Sequence, residues 1–156
     1  MEPEQMMQMA IDVARRGITD GQSPFGCAIA RDDQVLSARH NTVWGTTDIT
    51  AHAEVNALRA ACQQTGEIVL SGSVAATTCE PCPMCISALH WARIDTVFFG
   101  ASIADAAQAG FNGLNVTSQQ LVTLGGSPLR VVAGLMAAEC RRLFEEWLQG
   151  PRQQAN

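Results

Sequence analysis

Apolar and polar positions along the chain predict helices and strands in turn. Apolar residues recur at helical spacing over residues 6–14, and Gly17 lies where such a helix could end. Two short apolar runs, over residues 27–30 and 35–38, are separated by a polar turn and predict a β-hairpin. Residues 41–50 predict a loop. The first third of the chain is therefore expected to form a helix, a hairpin and a loop.

The rest of the chain continues this alternation. From Thr50 onward the spacing of apolar residues is helical again, which places His52 and Glu54 in the first turn of a second helix. The same criteria predict a strand within 69–77, a third helix from residue 83, a strand over 96–100, a loop over 101–115, a strand over 129–132 and a final helix over 136–147. The almost wholly apolar strand over 96–100 is typical of a parallel strand covered on both faces. A layered α/β fold is expected.

Length and composition indicate one globular domain over residues 1–156. The chain is 47% hydrophobic, which is enough apolar material for a continuous core. The first residues are acidic and no long apolar run follows, so neither a signal peptide nor a membrane-spanning helix is predicted. We therefore expect a cytoplasmic protein without a membrane partner.

The charge of the chain disfavours nucleic acid as a partner. The formal net charge is −5, the pI is about 5.0 and no basic run occurs. Binding to phosphate backbones depends on clustered Lys and Arg, so a small-molecule substrate is favoured. The chain also contains no lysine, which excludes Schiff-base catalysis and a phosphate-binding loop that uses lysine.

Two short segments carry the residues of a candidate metal site. Cys82 and Cys85 are three residues apart at the predicted start of a helix, where N–H groups favour thiolates and both side chains point toward one spot. His52 heads another predicted helix and could add an imidazole. Three protein ligands leave the fourth position of a Zn²⁺ ion for water, as in catalytic zinc sites. Glu54 points to a different side of its helix and is predicted to transfer protons.

Other interpretations of the cysteines stay open at this point. The segment Cys82-Pro83-Met84-Cys85 also fits a thiol-disulfide oxidoreductase, although the nearby His52-Ala53-Glu54 counts against it. Alternatively, Cys79 could supply a fourth ligand and close the site, giving a non-catalytic zinc-binding module that leaves Glu54 without a role. The remaining cysteines lie among apolar residues and are predicted to be free core thiols: Cys27, Cys62 and Cys140.

The paired segments resemble the cytidine and deoxycytidylate deaminase superfamily. His-x-Glu followed by Pro-Cys-x-x-Cys is the pattern of zinc deaminases that act on cytosine or adenine. Within the superfamily the chain is similar to small guanine deaminases, bacterial cytosine-type deaminases and tRNA adenosine deaminases, from about residue 6 to residue 147. The similar segments are Pro24-Phe25-Gly26, Asn41, 50–54, 57–59, 79–85, Trp91-Ala92-Arg93 and 105–111.

The resemblance implies a fold and a reaction. The fold would have three α/β/α layers with a mixed five-stranded sheet, and a homodimer would complete or border the pocket. A zinc-activated water would attack the amino-bearing ring carbon of a nucleobase and release ammonia. Glu54 would protonate first the ring nitrogen and then the leaving group.

The resemblance also implies substrate-binding residues. Asn41 would hydrogen-bond the base, and the backbone N–H of Ala53 would bind a ring carbonyl. Phe25 and Trp91 could wall the pocket, although both side chains are equally typical of an ordinary core.

One departure from the family pattern concerns the substrate. Small guanine deaminases carry acidic residues where this chain has Asn112 and Gly113. Asp105 is a candidate to replace them, although a role as a helix cap explains it as well. Guanine, cytosine and the adenosine of a tRNA therefore all stay open as the group that is deaminated.

Overall fold

The computed structural model describes residues 1–156 as five strands and seven helices. The strands are β1 (Gly26–Arg31), β2 (Gln34–His40), β3 (Ser73–Cys79), β4 (Thr96–Ala101) and β5 (Arg130–Ala133). The helices are α1 (Pro3–Thr19), α2 (Val43–Thr46), α3 (Ala53–Thr65), α4 (Pro83–Trp91), α5 (Ile103–Gln108), α6 (Ser118–Gly125) and α7 (Ala137–Gln149). No helix combines the length and the apolar character that a membrane crossing requires.

The strands form one mixed sheet in the order β2-β1-β3-β4-β5. Strand β1 pairs antiparallel with both β2 and β3, whereas β3, β4 and β5 run parallel to one another. The mixed five-stranded sheet and the parallel orientation of the apolar strand over 96–100 are thereby confirmed.

Helices cover both faces of the sheet because successive strand residues point to opposite sides. In β1, Ala28 and Ala30 belong to the core that α1 and α7 form on one face. Cys27 and Ile29 belong to the core on the other face, with α3, α4 and α6. Both faces of the sheet are therefore dry, and the predicted three-layer α/β/α fold is confirmed.

The sequence predicts that the first helix ends at Gly17, but Gly17 lies within α1. Helix α1 continues to Thr19, and Gly17 packs against the ring of His40 on β2, where an added Cβ atom would lie 2.8 Å from the ring. The close approach of helix and strand, and not helix termination, therefore explains this glycine. The chain turns only afterwards, at Gly21, where φ is +79°.

Three short helices were not predicted. Helices α2 and α5 lie in the segments 41–50 and 101–115, which the sequence predicts as loops, and α6 lies where no element is predicted. They have four, six and eight residues, so the apolar period has too few turns to show. Strand β3 begins only at Ser73, after a turn at Gly72, where φ is positive.

Candidate active site

The three candidate metal ligands come from the starts of two helices. His52 is the N-cap residue of α3, Cys82 is the N-cap residue of α4, and Cys85 lies in the first turn of α4. Pro83 occupies the first position of α4, where its missing N–H group costs no helical hydrogen bond. Helix α4 follows the end of β3 after three residues, so the order of elements fixes where the two cysteines lie.

The spacing of the three ligand atoms fits a tetrahedral zinc ion. His52 Nδ1 lies 3.7 Å from Cys82 Sγ and 3.4 Å from Cys85 Sγ, and all three atoms lie within 4.8 Å of one another. Zinc–sulfur bonds of about 2.3 Å and zinc–nitrogen bonds of about 2.0 Å at tetrahedral angles place nitrogen and sulfur about 3.5 Å apart. These residues can therefore hold a zinc ion without rearrangement of their helices.

Electrostatics in this cluster favour a cysteine thiolate. Hydrogen bonding from Cys85 and from His52 lowers the pKa of Cys82 to about 4. The pKa of Cys85 is raised, because its thiol donates to Cys82. The hydrogen bond between His52 and Cys82 is the main cause of the raised pKa of His52. Zinc ligation requires deprotonated sulfur, and the cluster already stabilises it at one cysteine.

Glu54 lies beside the cluster without belonging to it. Its side chain is only 7% exposed, and the hydroxyl of Thr77 on β3 lies 3.3 Å from its Oε1 atom. Burial is the main cause of a raised pKa of Glu54, which the nearby His52 partly offsets. A carboxyl group whose pKa moves toward neutrality is suited to take up and release protons.

Cys79 does not complete a closed metal site. Its thiol donates to the carbonyl oxygen of Ser102 at 3.7 Å, and the group of converging ligand atoms contains only His52, Cys82 and Cys85. A fourth position is therefore left without a protein ligand, which is the arrangement of an open site.

A cavity of about 390 Å³ opens over the cluster. His52, Glu54 and Cys82 line it, so the candidate reactive groups face a half-open cavity. This volume lies in the range of about 300–1,000 Å³ that is usual for small-molecule sites. The apolar part of the wall comes from Phe25, Ile49, Met84, Ile103, Phe111 and Leu114.

The structure brings some of the predicted substrate residues to this cavity. Asn41 is buried and lines it, with its Oδ1 atom accepting the N–H of Val43 at 3.0 Å. Phe25 lines it too, and its ring meets that of Phe111 edge to face at 4.9 Å. Ala53 is fully buried as the first residue of α3, and although its neighbours His52 and Glu54 line the cavity, Ala53 does not.

Trp91 and Asp105 do not line the cavity. Trp91 ends α4 with 74% of its surface exposed, so the prediction that it walls the pocket does not hold within a single chain. Asp105 forms a capping box with Ser102 at the start of α5, accepting the Ser102 N–H at 2.9 Å. Its carboxylate therefore stabilises a helix end, and the structure does not bring it to the cavity.

Several lining residues escape sequence reasoning. Ile49 and Leu114 come from exposed connections, and Asn156 reaches the cavity through a hydrogen bond from the N–H of Asn112 to its backbone oxygen at 2.9 Å. Nothing in their local sequence indicates this. Glu80 also lines the cavity, and its position between Cys79 and Cys82 is a signal that could have found it.

The sequence matches the family described as the cytidine and deoxycytidylate deaminase zinc-binding region, over residues 1–101. It is 42% identical to the guanine deaminase of Bacillus subtilis over 113 residues, which is 72% of either chain. It is 37% identical to a tRNA-specific adenosine deaminase of Aquifex aeolicus over 101 residues, which is 65% of this chain and 67% of that enzyme.

Solved structures share the fold. A guanine deaminase from Nitrosomonas europaea matches with a TM-score of 0.84 at 26% identity, over 94% of this chain and 84% of that one. A structure in complex with 2,6-diaminopurine matches with a TM-score of 0.85 at 27% identity, over 94% of this chain and 81% of that one. The chain belongs to the cytidine and deoxycytidylate deaminase family and is a hydrolase that acts on C–N bonds.

Proposed function

We propose that this protein is a zinc-dependent hydrolase that removes the amino group of a free nucleobase or a related amino-heterocycle, in the manner of a guanine deaminase. One observation carries the proposal. His52, Cys82 and Cys85 converge with the spacing of three zinc ligands, and the buried Glu54 stands beside them in the wall of one cavity. A metal module that served only to hold the fold would need neither the cavity nor the carboxylate.

The proposed chemistry divides between the metal and Glu54. His52, Cys82 and Cys85 would hold the zinc ion, which when bound acts as a Lewis acid that makes water nucleophilic at neutral pH. Glu54 would take the proton of the attacking water and deliver it to the ring nitrogen. It would then carry the remaining proton of the added hydroxyl to the amino group, which leaves as ammonia while the ring carbon becomes a carbonyl. The hydroxyl of Thr77 would keep the carboxylate in place.

The size and lining of the cavity support a small planar substrate. Phe25 and Phe111 offer aromatic surface against which a heterocycle can pack, and Asn41 offers an amide for its polar edge. The similarity to guanine deaminases over most of the chain favours a purine. Cytosine stays an alternative, because the exposed Asn112 and Gly113 stand where small guanine deaminases have acidic residues.

An ammonia-release screen of the purified protein tests this proposal. Guanine, cytosine, adenine, their nucleosides, and triazine and pterin analogues would each be offered at neutral pH. We expect turnover of at least one free base, with guanine or a close analogue the best. Absence of ammonia from all of them, in protein that contains zinc, would contradict the proposal.

Metal analysis tests the ligand set separately. Cys82→Ser should lose most of its zinc, because a hydroxyl replaces one of two thiolate ligands. Cys62→Ser is the matched control, since Cys62 lies on α3 outside the cluster. We expect about one zinc ion per chain in wild type and in the control, measured by mass spectrometry of the metal. Equal zinc content in both variants would rule out this ligand set.

Deamination of a tRNA adenosine is the second candidate, because the chain is also similar to tRNA-specific adenosine deaminases. The net charge of −5 counts against it. An RNA substrate requires binding that weakens steeply as salt rises. No detectable binding of tRNA at low salt would remove this candidate.

We further propose that the protein is a homodimer that pairs through α4. Met84 and Trp91 are seven residues apart on this helix and so share one face, and both are exposed. An apolar helix face next to the cavity wall is the kind of surface that a second copy would cover. The partner would then border the cavity, since Met84 also lines it.

A further inference from the structure

The carboxylate of Glu80 accepts hydrogen bonds from the first residues of two helices. Its Oε1 atom accepts the N–H of Ile103, the first residue of α5, at 3.3 Å. Its Oε2 atom accepts both the N–H and the hydroxyl of Ser118, the first residue of α6, each at 2.9 Å. One side chain therefore fixes two helix ends that are fifteen residues apart in sequence.

Glu80 is itself held by the metal-binding part of the chain. It lies between the end of β3 and Cys82, and its own N–H donates to the carbonyl oxygen of Ala101 at the end of β4, at 2.8 Å. The carboxylate thus connects the segment that carries Cys82 and Cys85 to the segment between α5 and α6.

The segment that Glu80 ties down is a wall of the cavity. Between Ile103 and Ser118 the chain contributes Phe111, Asn112, Gly113 and Leu114 to the lining. Residues 112–115 are exposed, so core packing holds them weakly. The exposed residues are therefore held by the buried Phe111, by the hydrogen bond from Asn112 to Asn156 and by the end that Glu80 fixes at Ser118.

The charge of Glu80 is met only by these donors. None of the ion pairs in the structure includes it, so no arginine balances it. Backbone N–H groups at helix starts carry partial positive charge, and hydrogen bonds to an ionised carboxylate are stronger than neutral ones. Three of the roughly four lone-pair sites of this carboxylate are therefore taken by helix starts, one on Oε1 and two on Oε2.

We infer that Glu80 is a positioning residue that holds the pocket wall of residues 103–118 in place relative to the metal ligands. The inference rests on the proposed function only for its kinetic consequence. Removal of the charge should loosen the wall and weaken substrate binding, while the metal ligands and Glu54 stay in place.

Glu80→Gln tests this directly. Glutamine keeps the shape of the side chain, but an N–H₂ group, which cannot accept a hydrogen bond, replaces one of the two accepting oxygens. Amides in residues 103–118 should exchange with deuterium at least about fivefold faster than in wild type, while those of α3 and α7 keep their rates. The KM for the best substrate should rise about tenfold with kcat within about threefold, as expected for the loss of a charge-assisted bond. Zinc content should stay at the wild-type value.

Ser118→Ala and Glu67→Gln complete the experiment. Ser118→Ala removes one of the three donors and should give a smaller change in the same direction, about two- to threefold in KM, even if Glu80→Gln folds poorly. Glu67→Gln is the control, because Glu67 pairs with Arg31 on the surface beyond the far end of α3 and should change nothing in 103–118.

The outcomes separate this inference from the proposed function. Unchanged exchange over residues 103–118 in zinc-containing Glu80→Gln protein would overturn the positioning role, whatever the activity. A proportional fall in kcat with unchanged KM would also overturn it, because that pattern indicates a role in the chemical step. If wild type releases no ammonia from any substrate but Glu80→Gln still loosens the wall, the proposed function fails and the positioning role stands.

Discussion

Glu54 is a buried carboxyl group that no arginine pairs with. Cys85 hydrogen-bonds its carboxyl group, and the single proton of the Thr77 hydroxyl is shared between Oε1 of Glu54 and the carbonyl oxygen of Gly26, each at 3.3 Å. Burial raises its pKa above the ordinary value of 4.5. A residue chosen for stability alone would not be an acid in this position, so the cost of burying Glu54 indicates a functional reason.

That cost has a measurable pH dependence in metal-free protein. In the folded state Glu54 keeps its proton at pH values where the unfolded chain has already released it. Unfolding free energy therefore falls as pH rises from about 4.5 through the raised folded pKa. Glutamine does not ionise, so we expect metal-free Glu54→Gln to be more stable than wild type at pH 7. The difference should shrink below pH 4.5.

Urea unfolding in the presence of a chelator measures this difference. Midpoints of wild type and Glu54→Gln would be compared at pH 4 and pH 7. If the two midpoints differ by the same amount at both pH values, the ionisation of Glu54 does not destabilise the fold.

At the scale of elements, small residues set the distance between α1 and the sheet. An added Cβ atom at Gly26 on β1 would overlap the carbonyl oxygen of Ala10 on α1. The core on this face is also rich in alanine, including Ala14, Ala28 and Ala76. Helix α1 therefore lies directly on the strands. Strand β2, which precedes Asn41, also contacts this helix, through His40 and Gly17.

Gly26→Ala should consequently destabilise the fold by about 1–3 kcal/mol, the usual cost of overpacking a core. Gly125→Ala is the matched control, because an added Cβ atom at the end of α6 meets nothing within 4 Å. We expect the control to be neutral or slightly stabilising. Equal urea midpoints for the two variants would show that the contact between α1 and β1 is not tight.

The elements that the sequence predicts are those with enough length to show a period. Helices α3 and α7 and strands β1, β2 and β4 occupy the expected segments. The short helices α5 and α6 show no period but begin with capping boxes, Ser102 with Asp105 and Thr117 with Gln120. That local signal could have found both helices, whereas α2 has no side-chain cap and no such signal.

The site also contains residues that the local sequence predicts and residues that it does not. The metal ligands and Glu54 lie within two short segments whose residue types and spacing limit the chemistry. The cavity wall is assembled from connections that meet only in the folded chain, such as Ile49, Leu114 and Asn156. Trp91 shows the limit of resemblance, since the structure leaves it exposed at the end of α4 and away from the cavity.

At the scale of the whole molecule, the exposed face of α4 predicts association. We expect light scattering to give twice the chain mass of 16.6 kDa for wild type. Trp91→Glu should give monomers, because a charge would be buried at the centre of the interface. Ile68→Glu is the control, since Ile68 is equally exposed but lies beyond the end of α3. A dimeric Trp91→Glu variant would place the interface elsewhere.

An open zinc site served by Glu54 is the centre of the proposed chemistry, and one variant tests it most directly. Glu54→Gln removes the proton carrier but no metal ligand, so it should keep about one zinc ion per chain. Its rate of ammonia release should fall by about 10²–10⁴, the usual contribution of a general acid–base group. Glu145→Gln, on the exposed face of α7, is the control and should match wild type. Turnover by Glu54→Gln within a few fold of wild type, with zinc bound, would contradict the account.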